Sequence, residues 1–549
     1  MTAATVAPAR AEAPSSGTLT GTGTLLRFML RRDRIRLPAW VLGIGIFVPY
    51  FFTAFQTLFP TEAELAGLAA FTEGPMVALL GGPGYGLGDD LSYFTFFTAI
   101  YVMYFMLAAA LMNILLVSRH TRVEEQTGRA ELVRANVVGR HAPLTATLIM
   151  VVISNVLITL VVFGGLLAFE SPSQSSALLV ALGIGLFGLV FAGVTFTAVQ
   201  ISEYSRVSSG IAGAVLGGAY VLRAAGDLSS DHGNALSWLT PFAWSQQTRA
   251  FSDERWWPLL ISVIVAAGLI ALGYRLSTRR DLGAGLRATR PGPASAPAWL
   301  RTPFALSWRL LSGSVRGWAI ALIVGGLVYG TTASPLVDSF ADMGEEMAQI
   351  IAGGADPLLG YLRTLTLMLI VTVAIFALLA ILKVRTEETD GRAEPVLATA
   401  TSRSTWLAGY VLVIALSAVV LLVLACVATG VTAALATEDW TLLGDMAVAG
   451  LVGAPAVLMV IGVATLLYGV SPRLLPIASA WVAFSGLTAF FGTLLDLPEA
   501  LLWVSPWHHT PGVPAEGITW APLLIQLVIA AGLTMAGLLA FRRRDLTTT

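Results

Sequence analysis

Apolar and charged positions are arranged along this chain in long blocks, and twelve of the apolar blocks contain no charged residue. A helix needs about 20 apolar residues to cross a hydrocarbon core about 30 Å thick, and a charge at its centre costs roughly 2.5 to 3.5 kcal/mol. The pattern therefore predicts an all-α polytopic membrane protein with about twelve transmembrane helices. The predicted spans are residues 37–59, 94–118, 142–169, 171–202, 207–222, 256–274, 317–337, 364–382, 404–437, 446–472, 474–495 and 517–541.

The distribution of basic residues orients these spans. If the spans alternate from a cytoplasmic N-terminus, only four of the 32 Lys and Arg residues fall outside: Arg223, Arg249, Arg255 and Arg363. Because basic residues are enriched in cytoplasmic loops, we predict that both termini are inside, in a multi-pass protein of the bacterial plasma membrane. The net charge of -1 gives no basic field that would attract nucleic acid.

Two copies of one sequence pattern organise the chain. Residues 122–131 read RVEEQTGRAE and residues 385–394 read RTEETDGRAE, while residues 279–282 and 543–546 both read RRDL. An even number of spans in each half would give both copies the same orientation. We predict a disordered cytoplasmic tail at 1–24, a first six-helix half at 25–281, a proline-rich cytoplasmic linker at 282–303 and a second six-helix half at 304–549.

The repeated acidic segment lies between the second and third spans of each half, on the predicted cytoplasmic side. On a short helix Glu125 and Arg129 stand at i and i+4, which would leave Glu124 free to meet a basic partner. The second copy repeats this arrangement with Glu388, Arg392 and Glu387. A solvated helix held by its own ion pairs is the alternative interpretation, but the repetition favours docking of a two-fold partner.

This loop resembles the corresponding loop in membrane permeases of ATP-binding-cassette (ABC) exporters of the second exporter type. In that family an acidic residue, a glycine, a further Glu and a basic residue precede the third span. The matching positions are Glu125, Gly128, Glu131 and Arg140 in the first half, and Glu388, Gly391, Glu394 and Arg403 in the second. The resemblance implies coupling helices that seat on two copies of a cytoplasmic nucleotide-binding ATPase subunit. The fused twelve-span form resembles the branch described as polyketide antibiotic exporters.

Further residues are candidates for a transport path. Aromatic residues at helical spacing and one amide in the second span would line a pathway for a hydrophobic small molecule: Phe97, Tyr101, Tyr104 and Asn113. Helix packing and interfacial anchoring account for the same stripe and are the favoured interpretation. Two clusters resemble the outer gate of the family, or form an interfacial aromatic belt: Trp238, Pro241 and Trp244, and Trp503, Pro506 and Trp507. Residues 25–34 suit an interfacial helix or a basic topology anchor.

The chain contains no GxxxxGK[ST] segment, and Lys383 is its sole lysine, so it has no phosphate-binding loop of that type. We expect no catalytic residue, cofactor or metal in this chain, with ATP and Mg²⁺ bound by the partner subunit. The predicted function is export of hydrophobic drug-like or antibiotic compounds. A proton-coupled twelve-span transporter is the alternative, although the predicted spans contain almost no ionisable residue. A membrane-embedded enzyme that uses Asp89 and Asp90 is a third possibility.

Overall fold

The structure is a computed structural model that describes residues 17–61, 65, 77–78, 81–88, 91–169, 173–230, 232–287, 292–333, 356–491 and 498–546. Over these residues the chain is helical, without β-strands. It divides into two compact units, residues 1–292 and 293–549, and the division falls within the predicted linker at 282–303. Asp89 and Asp90, the acids of the enzyme hypothesis, lie outside the described residues.

The first unit is a helical bundle whose longest members are apolar throughout. Its helices are α1 (Thr22–Arg32), α2 (Arg36–Leu58), α3 (Tyr93–Ile100), α4 (Val102–His120), α5 (Arg122–Gln126), α6 (Arg129–Arg134), α7 (Ala142–Leu167), α8 (Gln174–Ile201), α9 (Ser205–Ser229), α10 (Ala235–Trp238), α11 (Pro241–Gln246) and α12 (Pro258–Ser277). Six segments are long and apolar enough to cross a membrane: α2, α4 with α5, α7, α8, α9 and α12.

The second unit has helices α13 (Pro303–Gly330), α14 (Pro357–Thr389), α15 (Glu394–Leu397), α16 (Arg403–Thr437), α17 (Thr441–Val470), α18 (Leu475–Phe491), α19 (Glu499–Leu502) and α20 (Trp520–Arg543). Five of them could span a membrane: α13, α14, α16, α17 and α20. Helix α18 has 17 described residues and lies inside the predicted span 474–495. Residues 492–497, which follow it, lie outside the described residues. The predicted polytopic all-helical fold is confirmed, with eleven spanning helices among the described residues.

Several predicted spans differ in extent from the observed helices, and for two of them the structure shows a cause. The span predicted at 94–118 is interrupted at Tyr101, between α3 and α4, where the Gly81 backbone packs so closely that a Cβ there would lie 2.1 Å from the Ala99 carbonyl oxygen. The span predicted at 207–222 extends to Ser229 because Arg223 and Asp227 are buried within the helix as an ion pair of 3.2 Å. Assigning Arg223 to an outer loop was therefore wrong.

Helix α1 begins at Thr22, inside the predicted tail 1–24, of which residues 1–16 lie outside the description. Met29 is buried, and with Leu25 and Leu26 it packs against α4 and α7, including Val117 and Met150. The apolar side of this short helix is therefore held against the spans of its own unit.

Glycines permit a close helix crossing in the second unit, between α17 and α20. A Cβ on Gly469 would lie 2.1 Å from the carbonyl oxygen of Gly537, and a Cβ on Gly537 would lie 2.6 Å from that of Thr465. Such close approach of backbones between small residues is a common way of packing helices in membranes. The crossing sets the position of α20, whose C-terminal end carries the RRDL segment.

We predict that Gly469→Ala lowers the stability of the protein by about 1 to 3 kcal/mol, because the new methyl group forces α17 and α20 apart. The matched control is Gly444→Ala in the same helix, where an added Cβ meets nothing within 4 Å. The control should be neutral or stabilising by up to about 1 kcal/mol. Thermal unfolding of the detergent-purified variants measures both effects, and equal midpoints would contradict the close crossing.

Candidate coupling site

The repeated acidic segment makes the same turn in both units, and a glycine creates it. Gly128 and Gly391 both have a φ of 72°, in the left-handed region that glycine enters without a steric penalty. A Cβ at either position would meet nothing within 4 Å, so the backbone conformation alone demands glycine. In the first unit the turn separates α5 from α6, and in the second it separates α14 from α15.

This turn changes the ion pairs that helical spacing predicts. The expected pairs Glu125–Arg129 and Glu388–Arg392 are wrong, because the left-handed glycine brings each arginine back over the earlier glutamate. The observed contacts join Arg129 to Glu124 at 3.6 Å and Arg392 to Glu387 at 2.8 Å.

The first glutamates of the two copies are therefore not free, contrary to the prediction. Glu124 also forms an ion pair with Arg32 at the end of α1. In the second unit the hydrogen bond from Arg392 to Glu387, with the nearby charge of Asp390, raises the pKa of the arginine.

The second glutamate of the first copy is bound by the segment that follows the last span of its unit. Arg280 donates two hydrogen bonds to Glu125, of 2.7 and 2.9 Å, and its Nε donates to Gln200 Oε1 at 2.6 Å. Arg122 adds a third guanidinium contact to Glu125 at 2.8 Å. The ends of the second, fourth and sixth spans are thereby joined, with Arg280 bridging Glu125 and Gln200.

The second unit repeats this connection. Arg544 donates two hydrogen bonds of 2.6 Å to Glu388, whose side chain is 1% exposed. Tyr468, near the end of α17, donates its hydroxyl to the same carboxylate, and the Arg544 guanidinium lies 5.1 Å from the Tyr468 ring centre. The RRDL segments and the acidic segments, which recur together in the sequence, are thus bound to each other in each unit.

The basic residue before the third span also contacts the segment after the sixth span. Arg140 donates to the Thr278 carbonyl at 2.9 Å, and Arg403 donates to the Arg544 carbonyl at 2.6 Å. We call these groups the terminal clamps: Glu125, Arg140 and Arg280 in the first unit, and Glu388, Arg403 and Arg544 in the second. Bidentate carboxylate–guanidinium pairs are the strongest and most directional ion pairs that proteins form.

The outward side of the turn presents a different set of residues. In the first unit Arg129 and Glu131 are exposed, and Leu132 and Val137 beside them are 72% and 73% exposed. In the second unit Arg392, Glu394 and Pro395 are exposed. The predicted coupling residues therefore form an inner group, which holds the turn in place, and an outer group that remains accessible.

The residues proposed for a substrate pathway do not share one surface. Phe97 is buried among aromatic rings, 5.1 Å from Phe52. Asn113 is fully buried and exchanges hydrogen bonds of 3.0 and 2.9 Å with Asn155 of α7, so it joins two helices. Tyr104 is 47% exposed, and Tyr101 at the α3–α4 break is partly exposed. Only these two tyrosines retain accessible surface for a pathway.

The two tryptophan–proline clusters are packed in different ways. Trp244 is buried and donates its indole N–H to the Trp238 carbonyl at 2.8 Å, while Trp238 stacks on Trp257 with ring centres 5.2 Å apart. Pro241 begins α11. In the second unit Trp507 and Pro506 are buried, whereas Trp503 is exposed. A role for these clusters as an outer gate remains a prediction.

Comparison with known proteins identifies the kind of transporter. The family described as "Multidrug efflux system permease Rv1217c, C-terminal domain" matches residues 22–276 and 300–542. The chain belongs to this family of multidrug efflux permeases. The multidrug efflux system permease protein Rv1217c of Mycobacterium tuberculosis (strain ATCC 25618 / H37Rv) is 38% identical over 552 residues, covering 98% of each chain. The permease is thus a multi-pass protein of the bacterial plasma membrane.

Sequence reasoning missed the partners that complete the site of this permease. Arg280 and Arg544 appeared only as part of the RRDL repeat, and that recurrence was the available signal for them. Gln200 and Tyr468 carry no such signal, because they are different residue types that lie near the ends of corresponding helices. Their contacts with the terminal clamps follow from the tertiary structure alone.

We predict that Glu388→Arg destabilises the permease by about 3 to 5 kcal/mol, because it removes the partner of Arg544 in a buried site. The exchange Glu388→Arg/Arg544→Glu should recover a large part of that loss by restoring opposite charges. Glu394→Arg, on the exposed side of the same turn, should change stability by no more than about 0.5 kcal/mol. Thermal unfolding in detergent measures all three, and an exchange variant no better than Glu388→Arg would refute the clamp.

Proposed function

We propose that this drug-efflux permease is the membrane subunit of an ABC exporter, driven by two copies of a separate nucleotide-binding ATPase subunit. The outer sides of the two glycine turns would receive the movement of the ATPase subunits, which bind and hydrolyse Mg²⁺-ATP. The substrates we propose are hydrophobic drug-like or antibiotic compounds. The turns face the cytoplasm in the orientation that the basic residues predict.

One observation carries this proposal: in each unit an exposed turn is clamped to the end of the last span. A docking element must present an accessible surface and also be rigidly joined to the helices that it moves. Arg129 and Glu131 provide that surface in the first unit. Leu132 of the same helix adds an exposed apolar side chain. The bond between Glu125 and Arg280 joins the same turn to the segment after α12.

The duplication suits a partner that is present twice. The second unit presents Arg392 and Glu394 at the equivalent positions of its turn, and Glu388 joins that turn to α20 through Arg544. Two like surfaces bind two like subunits most simply. In this proposal the buried glutamates Glu125 and Glu388 position the turns. The exposed residues of the turns make the direct contact with the partner.

We predict that Glu131→Arg/Glu394→Arg reduces copurification of an ATP-hydrolysing subunit about tenfold or more, because charge reversal on both turns opposes docking. The matched control is Glu438→Arg/Glu499→Arg, which makes the same charge change at exposed positions on the predicted outer side. Affinity purification from a host that expresses the permease with its genomic neighbours measures association by mass spectrometry and ATPase assay. Equal association in both double variants, with both folded, would contradict docking at the turns.

A proton-coupled exporter is the second candidate, and buried Asp227 is the observation in its favour. The predicted spans contain almost no ionisable residue, but helix α9 extends beyond the predicted span 207–222 and includes Asp227. This carboxylate contacts Arg223 and accepts a hydrogen bond from Ser237 at 2.6 Å. Membrane carboxylates are used in proton relays, but these partners also explain a purely structural anchor.

The energy source of transport distinguishes the two candidate functions. In proteoliposomes that contain the permease and its ATPase subunit, we expect drug efflux to require ATP and to survive an uncoupler. Efflux by the permease alone, driven by a pH gradient and abolished by Asp227→Asn, would establish the proton-coupled alternative instead.

A further inference from the structure

A groove of about 690 Å³ opens in the first unit where α2, α4 and α9 meet. Its volume lies in the range of sites for small organic ligands. Three arginines line it: Arg36 is the first residue of α2, Arg119 is the penultimate residue of α4, and Arg206 is the second residue of α9. The three guanidinium groups therefore lie at one level of the unit.

The charge in the groove is positive and is only partly neutralised. Asp33 is the lining carboxylate, and it is buried against Arg119 at 3.1 Å and His120 at 2.7 Å. Among the described residues, neither Arg36 nor Arg206 has an ion-pair partner. The hydroxyl groups of Ser205 and Ser209 lie beside them as possible hydrogen-bond donors. The open end of the groove thus offers what an anionic headgroup requires.

The remainder of the groove is largely apolar. Leu37, Trp40, Met112 and Leu115 line it, and Leu115 is 52% exposed although it belongs to a spanning helix. A tryptophan one turn from the end of a span is typical of the boundary between headgroups and acyl chains. A ligand that contacts both parts of the groove must combine a negative charge with a long apolar portion.

We propose that this groove binds one anionic phospholipid, whose phosphate contacts Arg36 and Arg206 while its acyl chains lie along Leu37, Trp40 and Leu115. Basic pockets between membrane helices recognise acidic lipid headgroups through this combination of charge and apolar surface. In the second half Leu382 occupies the position of Arg119 at the repeat offset of the acidic segment. We therefore expect one lipid at the groove of the first unit, and its binding does not depend on how transport is energised.

Native mass spectrometry of the purified permease tests this site with phosphatidylglycerol and phosphatidylcholine that carry identical acyl chains. We expect one phosphatidylglycerol per chain to be retained and phosphatidylcholine to be lost. The double variant Arg36→Gln/Arg206→Gln leaves the Arg119–Asp33 contact intact and should lower phosphatidylglycerol retention about tenfold. The matched control Arg31→Gln/Arg34→Gln removes two exposed arginines from the preceding segment and should retain the lipid.

A second variant distinguishes a shaped site from general electrostatic attraction. Leu115→Trp fills the groove and keeps every charge, so it should also lower retention about tenfold, while its thermal midpoint without added lipid stays at the wild-type value. Equal retention of the two lipids, unchanged retention in both groove variants, or an equal loss in the control variant would overturn the proposal.

Discussion

In each unit of this permease, a carboxylate and a guanidinium form an ion pair away from bulk water. This ion pair fixes the position of the segment that follows the last span. Leaving either partner alone would bury an uncompensated charge, which costs several kcal/mol. Glu388 with Arg544, and Glu125 with Arg280, therefore require two remote segments to reach their positions together. The loop after the second span and the segment after the sixth span behave as one structural element in each unit.

This constraint gives the repeated acidic segment two distinct faces. The left-handed glycine reverses the chain, so that the preceding glutamates turn toward the unit and the following arginine and glutamate remain outside. A loop segment that merely faces solvent does not require a buried bidentate ion pair. A segment that merely stabilises the fold does not require an exposed charged face. The combination is what a docking element requires, and it is present twice.

The two units achieve the same arrangement with different neighbours. Arg280 also contacts the Gln200 side chain, whereas Arg544 lies over the Tyr468 ring and shares Glu388 with its hydroxyl. His120 pairs with Asp33 in the first unit, while Lys383, at the corresponding position, donates to the Leu310 carbonyl in the second. The clamp geometry is thus retained while its surroundings differ, and the arginine-lined groove lies in the first unit.

The sequence by itself determined the spanning helices and the two segments that carry the site, because a membrane imposes a length and a polarity that any chain must satisfy locally. It also indicated Gly128 and Gly391, since the repeat preserves them. It could not reveal that Glu125 meets Arg280 across 155 residues, or that Asp227 lies inside a helix, because a charge is tolerated wherever a partner from elsewhere in the chain satisfies it. Those pairings, and with them the division of each acidic segment into buried and exposed residues, were decided only by the tertiary structure.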